Sequence, residues 1–139
     1  MMKFKINLFS LWLLMLGLAV CIIILIGGYT RISDSGLSIT EWQPISGILF
    51  PTNELQWLTE FSKYQLIDEF KLINSNMSLN EFKIIYFWEW FHRAVARFIG
   101  FLFLVPFLVF FIKGKIPSRV LLTTILIGAF IIIQAIVGW

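Results

Sequence analysis

Apolar and polar positions divide the chain into three long hydrophobic runs separated by one polar interval and one short basic turn. Leu8 to Gly28 carries no charge over 21 residues. At ~1.5 Å per helical residue it reaches about 31 Å, enough to cross a hydrocarbon core of ~30 Å. The second run, Phe82 to Ile112, reaches roughly 45 Å as a helix, more than the hydrocarbon requires. Pro106 is expected to kink it. The third, Val120 to Trp139, has only Thr123, Thr124 and Gln134 as polar groups. Between the first two runs, residues 29–81 form an extended hydrophilic loop. Gly27-Gly28 predicts the end of the first helix, and Thr30 to Ser38 is rich in turn formers. Pro44, Gly47 and Pro51 keep the next part irregular. From Asn53, an N-cap candidate followed by Glu54, an amphipathic helix is predicted to about Ile73. Leu55, Leu58 and Phe61 share one side, and Trp57, Phe61 and Tyr64 also fall at helical spacing. This stretch is expected to lie on the membrane surface or to cover the helix bundle. Ser78-Leu79-Asn80-Glu81 is a capping-box pattern that starts the next helix.

Composition agrees with this pattern. The 139 residues are 59% hydrophobic and 14% charged, where a soluble domain is roughly half apolar and a quarter charged. Mean hydropathy is +0.88. The fold class is therefore all-α integral membrane, with three transmembrane helices (about 8–28, 82–112 and 120–139) and a loop bearing an amphipathic helix. A cleaved leader is the rival for the first run, and Leu18-Ala19-Val20-Cys21 resembles a lipoprotein cleavage box. Val20 fits poorly where a small residue is required, and the apolar run continues through Ile26, so a retained helix is expected. Cys21, the single cysteine, has no intrachain disulfide partner.

Charge distribution sets an expected orientation. Lys3 and Lys5 precede the first helix, and Lys113, Lys115 and Arg119 mark the turn at 113–119. The 29–81 loop holds three bases against seven acids, a net charge of −4. The positive-inside rule then makes the N-terminus and the 113–119 turn cytoplasmic and the long loop extracytoplasmic. Ending at Trp139 gives an odd number of crossings, which suggests a truncated or split version of something longer.

The candidate chemistry lies in Tyr86-Phe87-Trp88-Glu89-Trp90-Phe91-His92-Arg93. It holds the only histidine, and counting ~20 residues back from Ile112 puts it near the outer boundary. Ionisable groups at membrane depth are costly and point to function. In a helix Glu89 and His92 share a face at i, i+3, while Glu89, Arg93 and Arg97 form an i, i+4, i+8 row. Ala96 and Gly100 continue the histidine face with small side chains that admit a bulky planar partner. Neutral imidazole ligates haem iron, guanidinium suits propionates, and a carboxylate moves protons or stabilises a developing cation. Plain structural roles remain open for each: a hydrogen-bonded interfacial histidine, a Glu89–Arg93 ion pair, and an aromatic belt formed by Trp88 and Trp90.

Several segments together carry a family resemblance. They are Gly27-Gly28-Tyr29-Thr30-Arg31, Ser35-Gly36-Leu37-Ser38-Ile39, Glu41-Trp42-Gln43-Pro44 and Asn76-Met77-Ser78-Leu79. Glu81-Phe82-Lys83, Trp88 to Arg93, Arg97-Phe98-Ile99-Gly100 and Gln134 to Trp139 complete the set. In this order they resemble the N-terminal part of haem A synthase, in its alphaproteobacterial and mitochondrial branch. The resemblance implies part of the first of two four-helix bundles in an eight-helix protein of the bacterial inner (cytoplasmic) membrane. Each bundle holds one haem between a pair of histidines. A haem B cofactor belongs to the C-terminal half, and haem O, the substrate, to this half. The reaction oxidises a ring methyl to formyl by successive hydroxylation, making haem A for cytochrome oxidase. His92 then resembles an axial ligand to haem iron and Glu89 the catalytic carboxylate, while Arg93 and Arg97 match basic positions suited to cofactor binding.

Implied partners are haem O synthase, the missing C-terminal half or a second chain, membrane lipid and an unspecified electron donor; no nucleic acid is implied. The chain covers under three of the eight helices and has no second histidine. Ala96 and Ala135 stand where the family often has glycine. A non-catalytic haem-binding membrane module, or an inactive truncated remnant, is the alternative.

Overall fold

The computed structural model describes residues 7–41 and 46–138. Lys3 and Lys5, the Trp42-Gln43-Pro44 part of the Glu41–Pro44 segment, and Trp139 lie outside the described residues. The chain is all-α: α1 Leu8–Ile32, α2 Glu54–Tyr64, α3 Asp68–Leu72, α4 Leu79–Ile112 and α5 Ser118–Val137, with a 3-10 turn at Ser46–Ile48. No strand occurs among the described residues. The helices α1, α4 and α5, of 25, 34 and 20 residues, are long and apolar enough to cross a membrane.

The chain folds as two compact units, residues 1–23 with 96–139 and residues 24–95. In the first unit Phe9, Trp12 and Leu16 of α1 pack with Phe103 and Phe110 of α4. Pro106 sits inside α4. It has no N–H to donate to the carbonyl four residues back, which is that of Leu102. The Trp12 indole Nε1–H donates to this same carbonyl at 2.7 Å. An aromatic donor from α1 thus satisfies the acceptor that proline leaves open, as a segment without water requires. On α5 the buried Gly128 faces Phe103, and a Cβ there would lie 2.6 Å from the ring. Glycine permits that approach of α5 to α4.

In the second unit α2 lays Trp57 and Tyr64 on Phe82, Ile85 and Tyr86 of α4, with Phe50, Phe61 and Phe70 around them. Asn53 caps α2, its side chain accepting from Gln56 N at 2.9 Å. The predicted amphipathic helix is two helices, with residues 65–67 between them. Tyr64, fully buried, accepts a hydrogen bond from Asn74 Nδ2 at 2.8 Å across this break. The packed side is the 57, 61, 64 row. Leu55 and Leu58 point outward, 75% and 49% exposed, because the larger rings bury more apolar area against α4. The capping box forms as expected: Ser78 N and Oγ both donate to Glu81 Oε2, at 2.7 and 2.8 Å. Lys63 bridges Glu41 and Glu60 at 3.0 and 2.9 Å. The Glu60 hydrogen bond, helped by Glu41, raises the Lys63 pKa. The bridge is therefore present at neutral pH, and on the alkaline side it is lost only as pH rises through that elevated value.

Residues Gly27-Gly28 do not end α1, which continues to Ile32. Helix is tolerated at glycine for ~1 kcal/mol relative to alanine, and Thr30 Oγ1 donates back to the Gly27 carbonyl at 2.8 Å. The stop comes at Asp34, which has φ +49°. Ser35 N bonds Thr30 O at 2.9 Å and Asp34 N bonds Arg31 O at 3.4 Å, the pair of contacts that defines a Schellman end. Asp34 occupies the left-handed position where glycine is usual.

The proline device is testable. Trp12→Phe leaves the Leu102 carbonyl without its donor and is expected to cost about 1–3 kcal/mol. In a Pro106→Ala background, which restores the helical N–H, the same change costs less. Unfolding in detergent micelles measures both arms of that cycle.

Candidate functional site

The Schellman turn reverses the chain after α1 and brings residues 35–39 against α4. Ser35 and Ser38 are buried there, at 0% and 1% exposure, and so is Glu89, at 4%. Glu89 Oε2 accepts from the Ser38 hydroxyl at 2.7 Å and from the Ile39 N–H at 2.8 Å. Its other oxygen, Oε1, accepts from Arg93 Nη2 at 2.6 Å. That guanidinium also donates to the Ile39 carbonyl at 3.2 Å. One dipeptide, Ser38-Ile39, therefore holds both members of an i, i+4 ion pair. Three donors converge on the carboxylate, as a buried carboxylate requires. The Ser38 hydroxyl is also 3.2 Å from the Ser35 carbonyl, a second acceptor within its reach.

His92 is half-buried and lies against α1. A Cβ built on Gly27 would come 3.1 Å from Nε2 of the imidazole, whereas one on Gly28 would meet nothing within 4 Å. Of the two adjacent glycines, only Gly27 makes room for the ring. Among the described residues neither ring nitrogen takes part in a hydrogen bond. Aromatic contacts frame the cluster: Tyr29 and Trp88 have ring centroids 4.3 Å apart, and Phe87 stacks on Phe91 at 5.8 Å. Trp90 Nε1 donates to the Ile48 carbonyl at 3.2 Å, fixing the 3-10 turn to α4.

Residues 10–139 match the cytochrome oxidase assembly protein family. The chain belongs to that family. Its relatives include haem A synthases from Rhodospirillum centenum, 48% identical over 94% of this chain, Maricaulis maris, 46% over 94%, and Ehrlichia ruminantium, 43% over 94%. The chain spans 35%, 38% and 38% of those three proteins, just over a third of their length. No solved structure matches it. With three membrane-length apolar helices and this family, it is a multi-pass membrane protein.

Haem is the group that the names of these relatives bring forward, and the residues present can be compared with what it would need. A half-buried imidazole with no hydrogen-bonded nitrogen among the described residues is the side-chain type that ligates haem iron. One histidine supplies one such ligand. Of the residues singled out from sequence, Glu89 and Arg93 come together directly and His92 stands one turn along the same helix. Arg97, partly buried, belongs to the other unit. Arg93 is engaged by Glu89 and the Ile39 carbonyl. Ser38 and the Ile39 amide were not legible from residue spacing, since 51 and 50 positions separate them from Glu89. Only the Ser35–Ile39 family segment pointed there, without saying why.

The two glycines give a direct test of the His92 packing. Gly27→Ala is expected to displace the ring and shift its imidazole NMR signals, while Gly28→Ala leaves them in place. As the sole histidine, His92 can be followed in micelles without ambiguity.

Proposed function

We propose that this chain is the substrate-haem part of a haem A synthase, in which a ring methyl of haem O is oxidised to formyl by successive hydroxylation. The observation that carries the reading is the buried, three-donor Glu89 one turn from an unpaired histidine. It stands within a chain 43–48% identical to haem A synthases over 94% of its length. Bound haem would supply the iron-centred redox chemistry. The chain's own residues bind and orient the substrate and manage charge around it.

His92 would hold the haem iron through its imidazole. Glu89 is fixed before substrate arrives, so no reorganisation is needed when positive charge develops at the methyl carbon or a proton must leave the new hydroxyl. Arg93 keeps the carboxylate in place and offsets its charge. Buried apolar and aromatic side chains limit water at the site.

A haem B cofactor site, the second axial ligand and the electron-transfer route belong to the remainder of the protein or to a second chain. Haem O synthase is the partner expected to deliver substrate. The acidic 29–81 loop and the basic 113–119 turn support an inner-membrane orientation with the N-terminus cytoplasmic and Glu89 toward the outer face.

Haem extraction from membranes containing the full-length protein tests this reading. Glu89→Gln, which keeps the side chain's shape and one acceptor oxygen, is expected to retain bound haem O while formyl-haem yield drops at least about 100-fold. His92→Ala is expected to lose the bound haem itself. Wild-type formyl yield in Glu89→Gln would instead indicate a haem-binding module whose carboxylate is structural, and unchanged haem content in His92→Ala would remove the axial-ligand role.

A further inference from the structure

We propose that Ser38 is a positioning residue for Glu89, so that the loop after α1 belongs to the reaction machinery rather than serving only to end a helix. This rests on the function proposed above for Glu89.

The geometry separates the two roles. Ending α1 requires the turn at Asp34 and the backbone bonds of Ser35 and Asp34 to Thr30 and Arg31, all made within residues 30–35. Those bonds are complete before the chain reaches Ser38. The loop nevertheless continues inward until Ser38 is 1% exposed and its hydroxyl is 2.7 Å from Glu89 Oε2. A hydroxyl and the next amide on one carboxylate oxygen fix the carboxylate plane as well as its distance, since the second oxygen is held separately by Arg93 at 2.6 Å. Removing the hydroxyl leaves Oε2 with a single donor, the Ile39 N–H, and so loosens the position of that oxygen.

Burial alone does not require the hydroxyl, because the Ile39 N–H and Arg93 already give each carboxylate oxygen a donor. A loop needing only an acceptor for Ser38 already offers one, the Ser35 carbonyl at 3.2 Å. What Ser38 adds is orientation, the property that matters when a carboxylate must meet a reacting carbon. Displacements on the order of 1 Å in such groups can cost about 100-fold in rate.

The test uses the full-length protein in native membranes, with Ser38→Ala, Ser38→Thr, Glu89→Gln and the Ser38→Ala/Glu89→Gln pair. Bound-haem absorption and the yield of formyl-haem are measured on each. Ser38→Ala is expected to keep the haem spectrum and lose about 10-fold or more of the formyl yield. Ser38→Thr, which restores the hydroxyl, is expected to recover most of it. The double variant is expected to fall no further than Glu89→Gln alone, because Ser38 acts only through that carboxylate.

Full yield in Ser38→Ala while Glu89→Gln is inactive overturns this inference and leaves the proposed function standing. Loss of bound haem in Ser38→Ala without recovery by threonine, or additive losses in the pair, also overturns it in favour of a purely structural loop. Full yield in Glu89→Gln overturns the functional reading beneath it.

Discussion

A carboxylate buried in an apolar helix needs several hydrogen-bond donors, and the second unit is arranged to supply them. Glu89 could not be held at 4% exposure by Arg93 alone without leaving lone pairs unpaired where water is scarce. The remaining donors come from the chain that follows α1, and their arrival depends on where α1 stops. The turn at Asp34 sends residues 35–39 inward. The same segment continues to Glu41, whose contact with Lys63 ties it to α2. That helix then packs its Trp57 and Tyr64 on α4, about two turns or less from Glu89. Loop, surface helix and ion pair thus form one connected set of contacts around a single charged group.

The same rule operates in the first unit with no charge involved. Pro106 opens one carbonyl in α4, and Trp12 closes it. In water that carbonyl would be satisfied by solvent. In a segment built to cross hydrocarbon it must find a protein donor. A ring from α1 serves because it is apolar everywhere except at its N–H. Gly128 and Phe103 show the packing counterpart, a missing side chain matched to a large one.

How the site was read from sequence follows from the range of the interactions. Glu89, His92 and Arg93 were legible because helical periodicity relates residues three and four apart, and because charge in an apolar run is conspicuous. The capping box at Ser78 and the cap at Asn53 were legible for the same local reason. The stop of α1 was misplaced at Gly27-Gly28. Glycine signals a helix end only where a left-handed residue is needed, and Gly27 serves another purpose, leaving room for the His92 ring. The stop was supplied by Asp34, a residue type that adopts positive φ less often than glycine does. Leu55 and Leu58 looked as suitable for burial as Trp57 and Tyr64. Which row packs depends on the shape of α4's surface, which α2's own sequence does not contain.

By itself the sequence determined the membrane class, the three crossings, the helix caps and the identity of the ionisable cluster. Each of these follows from hydropathy, charge or short-range spacing along one segment. Only the tertiary structure decided that Ser38 and the Ile39 amide hold Glu89, that Arg93 also donates to the Ile39 carbonyl, that Gly27 faces His92, and that Trp12 serves the carbonyl Pro106 leaves open. Those pairings join residues 50 or more positions apart, where no periodicity links the partners. They are set by where two helices and a loop come to lie, and by the need of each buried polar group for a partner.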